Sequence, residues 1–221
     1  EIGGTPMIEY NLEKLTQLGT LQIILVRGYG ADQVKAQLGS KCQYAIQPNS
    51  QGGTGDAARV GLEAVNESAA TVMILYGDDS AFYKIETLKE FIDYHQKSGN
   101  VVSVITAQQP QSERVGRIIR DQHGQFEASM EVWEYEKSGL YSDEINCCVY
   151  LFNKDWFEEN FKKIKNENDK AEYRITDILN IAKSEGTHVG LFKLKDPSEW
   201  VGINTKEELE KANQLMGAIH D

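Results

Sequence analysis

The sequence predicts an α/β fold, a Rossmann-like three-layer α/β/α arrangement around a mixed, mostly parallel sheet with a small β-hairpin lobe. Three observations predict it. Apolar periods of helix and strand type alternate along most of the chain, as in βαβ units joined by right-handed crossovers. Short apolar runs such as residues 70–75 stop at Gly77-Asp78, the pattern of a central parallel strand that delivers a polar residue at its carboxyl end. After Pro110 the rhythm changes, and two runs flank Asp121-Gln122-His123-Gly124, a four-residue hairpin signal. The chain has 221 residues, 40% of them hydrophobic, and no repeat, low-complexity stretch or linker divides it. A single domain over 1–221 is expected.

The elements follow in order. Pro6 opens a helix with apolar Met7, Ile8, Leu12 and Leu15, and Gly19 closes it. Residues 21–26 read as a buried strand, 32–38 as a short helix and 44–47 as a second strand. The loop from Pro48 to Gly55 comes next, and Asp56 is the expected cap of a helix over 57–65. Strands are expected over 70–75 and 101–106, with a helix over 85–95 between them. The hairpin pairs 116–120 with 125–131. Then come a strand over 145–152, a helix over 156–164, a charged loop over 165–170, a helix over 176–183, a strand over 189–194 and a closing amphipathic helix over 206–216.

Composition excludes some partners. The formal net charge of -11 argues against nucleic acid and anionic membrane surfaces. A nucleotide is still compatible, because local amides and a metal outweigh the global charge. No run of 18 apolar residues and no signal-peptide pattern occurs, so a soluble, cytoplasmic protein is expected. Cys42, Cys147 and Cys148 have no CxxC spacing and read as packing residues, Cys147 and Cys148 on opposite faces of their strand. His95, His123, His188 and His220 are scattered, which disfavours a histidine metal site.

In an open α/β sheet the ligand lies beyond the carboxyl ends of the strands. Two segments fall there. One runs from Gln47 to Gly55, where glycines let the backbone approach a base or phosphate at a helix start; its plainer reading is a flexible glycine loop. The other is Tyr76-Gly77-Asp78-Asp79, whose carboxylate suits Mg²⁺ with substrate phosphates; its plainer reading is an aspartate capping the next loop.

Taken together and in order, seven short motifs resemble those of sugar-1-phosphate nucleotidyltransferases, in particular the bacterial N-acetylglucosamine-1-phosphate uridyltransferases. Gly4-Thr5-Pro6-Met7-Ile8-Glu9-Tyr10 resembles their "GKPMIEH", Gln51-Gly52-Gly53-Thr54-Gly55-Asp56-Ala57 their "QLGTGHA", and Leu75-Tyr76-Gly77-Asp78 matches "LYGD". Val115-Gly116-Arg117-Ile118 resembles "GYGRI", Glu144-Ile145-Asn146 matches "EIN", the run from Glu172 to Asp177 resembles "EYYLTD", and Gly202-Ile203-Asn204 resembles "GVN".

The resemblance implies the family's nucleotidyltransferase fold, with the hairpin as a sugar-facing lobe, and a set of roles. Gln51 or Gln47, with Gly53 and Thr54, would recognise the uracil and ribose; the segment is one residue longer than the family's, so which glutamine reads the base stays open. Asp78 and Asn204 would hold Mg²⁺. Tyr76, Gly77, Gly116, Glu131, Asn146, Tyr173 and Thr176 would line the sugar pocket. For Glu131 the plainer reading is an exposed strand charge, for Asn146 a buried structural amide. The implied reaction joins UTP and a sugar 1-phosphate, N-acetylglucosamine 1-phosphate first, with release of pyrophosphate. The alternative is a non-catalytic module of the same fold that binds a nucleotide sugar. The family's first strand and its "LAAGxGTRM…PK" loop have no counterpart in the 221 residues, and no hexapeptide repeat of an acetyltransferase β-helix occurs. The resemblance therefore implies an inactive chain as it stands and an active parent.

Overall fold

The computed structural model describes residues 1–28, 30–49, 51–110, 115–168 and 170–220. Ser50 of the glycine loop and Asp169 of the charged loop lie outside them, as does the side chain of His220.

Among the described residues eight strands form two sheets. β1 (Ile24–Arg27) and β2 (Gln43–Ile46) pair in parallel as a separate ribbon. The other six are β3 (Thr71–Ile74), β4 (Val102–Gln108), β5 (Arg117–Arg120), β6 (Phe126–Met130), β7 (Glu144–Asn153) and β8 (Val189–Lys193). β3, β4, β5 and β8 run one way, while β6 and β7 run the other. The sheet is mixed as expected and most of its strands share a direction. Because the long β7 lies antiparallel between its neighbours, only β4 and β8 make a direct parallel pair within it.

The two faces carry separate cores. On one, Val102, Val104, Tyr150 and Phe152 meet Ala58 and Leu62 of α3 (Gly53–Glu63), Phe157 of α6 (Lys154–Asn160) and Ile178, Leu179 and Ala182 of α7 (Asp177–Ser184). On the other, Ile105, Ala107, Cys147, Val149 and Leu151 meet Leu88 and Phe91 of α4 (Ile85–Ser98). Strand alternation thus sends adjacent residues into opposite helical layers, and it does so for the cysteines: Cys147 is buried in the second core, while Cys148 packs on the first. A third, smaller cluster joins Ile2, Ala81, Ile203, Ala212 and Met216, tying α8 (Lys206–His220) and α1 (Met7–Gln17) to the loop after β3.

Three differences from the sequence reading have physical causes. The third helix begins at Gly53 rather than at 57, so Gly53, Thr54 and Gly55 form its first turn and Asp56 is not its cap. That turn is set by tertiary bonds: Gly55 N–H donates to the Tyr173 carbonyl at 2.7 Å, and Tyr173 N–H to the Gly52 carbonyl at 2.9 Å. A seven-residue helix, α5 (Val132–Ser138), follows the hairpin where no helix was expected; Glu131 and Glu134 form its capping box and Gly139 ends it in the left-handed region. The first strand is shorter than its apolar run, because 21 and 22 lie outside the pairing, Ile23 joins only through its carbonyl, which accepts the Gln43 N–H at 2.9 Å, and Leu21 is fully exposed.

Among the described residues β1 pairs only with β2, and β3 only with β7. Their residues Ile24, Leu25, Val26, Val72, Met73 and Ile74 are half-buried, although apolar runs of this kind are normally covered on both faces. Asn11, on the buried side of α1, has neither amide atom hydrogen-bonded.

Candidate active site

One edge of β7 is shared by two strands. β3 pairs along 150–153, and β5 touches at Ile145. Residues 147–149 lie between them, and the chain leaving β3 carries Tyr76, Gly77 and Asp78 into the same region as Gly116, whose carbonyl accepts the Asn146 N–H at 3.0 Å. Among the described residues no strand pairs with 147–149 on that edge.

On the sugar-motif side, Thr176 Oγ1 donates to Glu131 Oε1 at 2.9 Å, while Glu131 also caps α5. Glu131 is therefore not a free strand charge. Asn146 is 1% exposed; its Oδ1 accepts from Cys148 N–H at 2.9 Å and from the Tyr150 hydroxyl at 3.2 Å. Burial pushes the Tyr76 phenol well up, and its hydroxyl meets that of Thr54. Thr54 Oγ1 in turn accepts from Ile175 N–H at 3.1 Å. Arg174 lies over the Trp133 ring at 5.6 Å, joining this segment to α5.

The glycine turn is crowded. A Cβ on Gly53 would stand 2.5 Å from the Tyr173 carbonyl oxygen, and one on Gly55 2.9 Å from the same atom. These glycines admit the 172–175 segment, a function that their spacing alone does not reveal. Gln47 Nε2 donates to the Gly53 carbonyl at 3.1 Å and to Asp56 Oδ2 at 3.0 Å, so it holds the turn. Burial pushes the Asp56 carboxyl up, but hydrogen bonds from Arg59 and Gln47 bring it net below the usual carboxylate range. Gln51 is exposed and joins the cluster only through the backbone, its N–H bonding Asn49 Oδ1 at 3.1 Å.

Asp78 and Asn204 come together through the main chain: Ile203 N–H donates to the Asp78 carbonyl at 3.1 Å. Both side chains are exposed, and neither has a hydrogen bond among the described residues. Asp79 behind them is buried; burial first, and then the charge of Asp78, push its carboxyl up to about 7, while Ser80 and Trp200 donate to it. Lys14 Nζ donates to the carbonyls of Ser80 and Ala81, fixing this loop, and burial lowers its pKa to about 8. Hydrogen bonds link Glu131 with Thr176 and Gln47 with the Gly53 carbonyl, and Thr54 with Ile175 N–H, while Gln51 makes only a local bond to Asn49 and Tyr173 lines a separate groove. Sequence reasoning missed the Lys14 contacts and the Arg174–Trp133 pair, and it placed Cys148 on its face without its backbone shape.

A separate groove of about 720 Å³ lies between α3 and α6, lined by Leu62, Phe161, Ile164 and Tyr173 with a charged rim. Neither Asp78, Asn146 nor Asn204 lines it.

A mixed sheet layered between helices, with a loop cluster at one strand end joined to a helix start, defines an α/β nucleotidyltransferase fold. The crystal structure of a Bacillus anthracis protein described as a glucose-1-phosphate thymidylyltransferase, in complex with sucrose, superposes with a TM-score of 0.79 at 20% identity, covering 97% of this chain and 84% of that one. The family described as nucleotidyl transferase matches residues 1–218, and the chain belongs to it. Among its relatives are the bifunctional protein GlmU of Enterococcus faecalis, 33% identical over 215 residues, and that of Lactobacillus helveticus, 32% identical over 216. The matches take in 97% and 98% of this chain but 46% of each relative, so the chain spans less than half their length.

Proposed function

We propose that this chain is the sugar-1-phosphate uridylyltransferase part of its protein, which makes a UDP-sugar from UTP and N-acetylglucosamine 1-phosphate or a related hexose 1-phosphate. The observation that supports the reading is the hydrogen bond from Ile203 N–H to the Asp78 carbonyl, which brings the chain at Asn204 next to that at Asp78. Two exposed oxygen donors without hydrogen bonds suit a hard cation, which takes one or two protein oxygens plus substrate phosphates. Asp78 and Asn204 are thus the residues that would hold Mg²⁺. Bound there, Mg²⁺ supplies charge neutralisation and a template for the nucleotide phosphates.

The chemistry is in-line attack of a phosphate oxygen of the sugar 1-phosphate on the α-phosphorus of UTP. The new P–O bond forms as the α–β bridging oxygen leaves with pyrophosphate. No protein nucleophile is needed; the residues align the partners. In this reading Thr54 and Gly53, with Gln47 or Gln51, hold the uridine. Glu131, Asn146 and Thr176 hold the sugar hydroxyls, Tyr76 and Tyr173 form walls, and Gly77 and Gly116 offer backbone, the missing Cβ of Gly116 admitting the Met130 carbonyl.

Calorimetric titration of UTP with and without Mg²⁺ tests the assignment. Asp78→Asn should abolish the Mg²⁺-dependent gain in affinity and leave the metal-free affinity intact. An equal Mg²⁺ effect in both proteins would refute the site. A second reading, a binding module without turnover, is favoured by the engagement of the lysines that hold or follow the loop after β3. Lys14 is bound to backbone carbonyls, and Lys84 to Asp196 and Glu199. UTP binding without pyrophosphate release, in this chain and in its parent protein, would select it.

A further inference from the structure

Cys148 is one of two non-glycine residues with positive φ among those described, at +55°. It lies at a bulge. The β4–β7 register steps from Val104 opposite Tyr150 to Thr106 opposite Asn146, so Cys147, Cys148 and Val149 face the single residue Ile105. A left-handed residue with a Cβ is strained and persists only where its surroundings fix it. Here its N–H is fixed on Asn146 Oδ1.

That bond also orients Asn146. A backbone N–H only donates, so the amide atom facing it is the oxygen, which the Tyr150 hydroxyl shares. Nδ2 is left on the other side, buried and without a hydrogen-bond partner. A buried donor of this kind calls for an acceptor from a ligand. The half-buried Cys148 side chain, whose Sγ lies 3.7 Å from the Asn146 main-chain carbonyl oxygen, is within electrostatic reach of Asp79, Glu131 and Asp78. Burial holds this thiol protonated, well above the usual range, so it is bulk rather than charge that it brings.

We propose that Cys148 sets acceptor specificity: its Cβ and Sγ fill the space beside the Asn146 amide, so the ring substituent facing β7 is a hydroxyl and an acetamido group is excluded. The inference rests on the uridylyltransferase reading and narrows its acceptor to a hexose 1-phosphate without the acetamido group.

UDP-glucose, UDP-N-acetylglucosamine and UDP, titrated by calorimetry, test it, since the two sugars share one nucleotide. Wild type should bind UDP-glucose about 10–200-fold more tightly than UDP-N-acetylglucosamine, the discrimination expected for a small change in pocket volume. Cys148→Gly should bring the two within a few-fold, whereas Cys148→Ser should keep the preference. Glycine is at home at this φ, and thermal denaturation checks that both variants fold. A ratio unchanged in Cys148→Gly, or a wild-type preference for UDP-N-acetylglucosamine, overturns the role of Cys148 while the reading stands. No binding of UDP or of either UDP-sugar overturns both.

Discussion

Gly53→Ala separates the structural role of the glycine turn from any role in ligand access. Gly53 has φ +83°, and an added Cβ would sit 2.5 Å from the Tyr173 carbonyl oxygen, 2.9 Å from Glu172 Cβ and 3.1 Å from Tyr173 N. Two of these are backbone atoms, so the 172–175 segment has to move. Forcing a left-handed conformation on alanine costs about 1–2 kcal/mol. Moving the segment threatens the bonds between Gly55 and Tyr173 and between Tyr173 and Gly52, at about 1 kcal/mol each, and overpacking adds roughly 1–3 kcal/mol. The expected loss is about 4–7 kcal/mol. Gly99→Ala is the control: φ is +63° and no heavy atom lies within 4 Å of its Cβ, so only the conformational cost of about 1–2 kcal/mol applies. Urea denaturation followed by circular dichroism and tryptophan fluorescence, without nucleotide, measures both. A Gly53→Ala loss no larger than that of Gly99→Ala would refute the claim that this glycine exists to admit Tyr173.

Two further outcomes follow from buried charge. Arg120 donates Nε to Glu144 Oε2 at 2.6 Å and Nη2 to Oε1 at 2.7 Å, and Thr106 adds a bond to the same buried carboxyl. Burial pushes Glu144 up, but Arg120 and Thr106 bring it net below its usual value; Arg120→Met leaves burial in command. The variant should lose about 3–5 kcal/mol at pH 7, nearer the lower figure because Arg120 is partly exposed, and the loss should shrink at pH 5 as Glu144 protonates. A penalty that does not change with pH, in urea melts, would count against this. Asp177 is pushed up to about 6, first by burial and then by Glu134 and Glu131, against the pull of Arg174. Its folded form holds a proton that the unfolded form releases near 3.8, so its contribution to stability falls as pH rises from about 4 to about 6 and is flat above. Asp177→Asn should therefore gain on wild type across that window, by about 3 kcal/mol at face value and about half of that for a partly exposed group, as urea midpoints against pH would show.

The alternation of helix and strand periods was enough to place nearly every element, because burial of alternate or every-third-and-fourth residues is a local property that the chain displays directly. Two features were out of reach for a physical reason. Period two says that β7 is a strand but carries no direction, and only its pairing shows that it runs against β3, β4 and β5. The start of α3 is dictated by Tyr173, more than a hundred residues away, and no cap side chain announces it. The missed α5 is different. Glu131 and Glu134 stand three apart and Gly139 closes the run, so its signal was present but lay on a segment read as the end of a strand.

The site was less legible, and the reasons differ residue by residue. Asp78 could be placed at a strand end from sequence, but its meeting with Asn204 depends on one long-range backbone bond from Ile203. Glu131 read either as a ligand group or as an exposed charge, whereas it caps a helix and holds Thr176 at once. Cys148 was read correctly as to face and missed as to shape. A glycine in mid-strand would have signalled a bulge, whereas two cysteines in an apolar strand give no such sign. The bulge is nevertheless what turns the Asn146 carboxamide, leaving Nδ2 without a protein partner. Resemblance could name Asn146, but only the hydrogen-bond arrangement around it shows which of its atoms is left for a ligand.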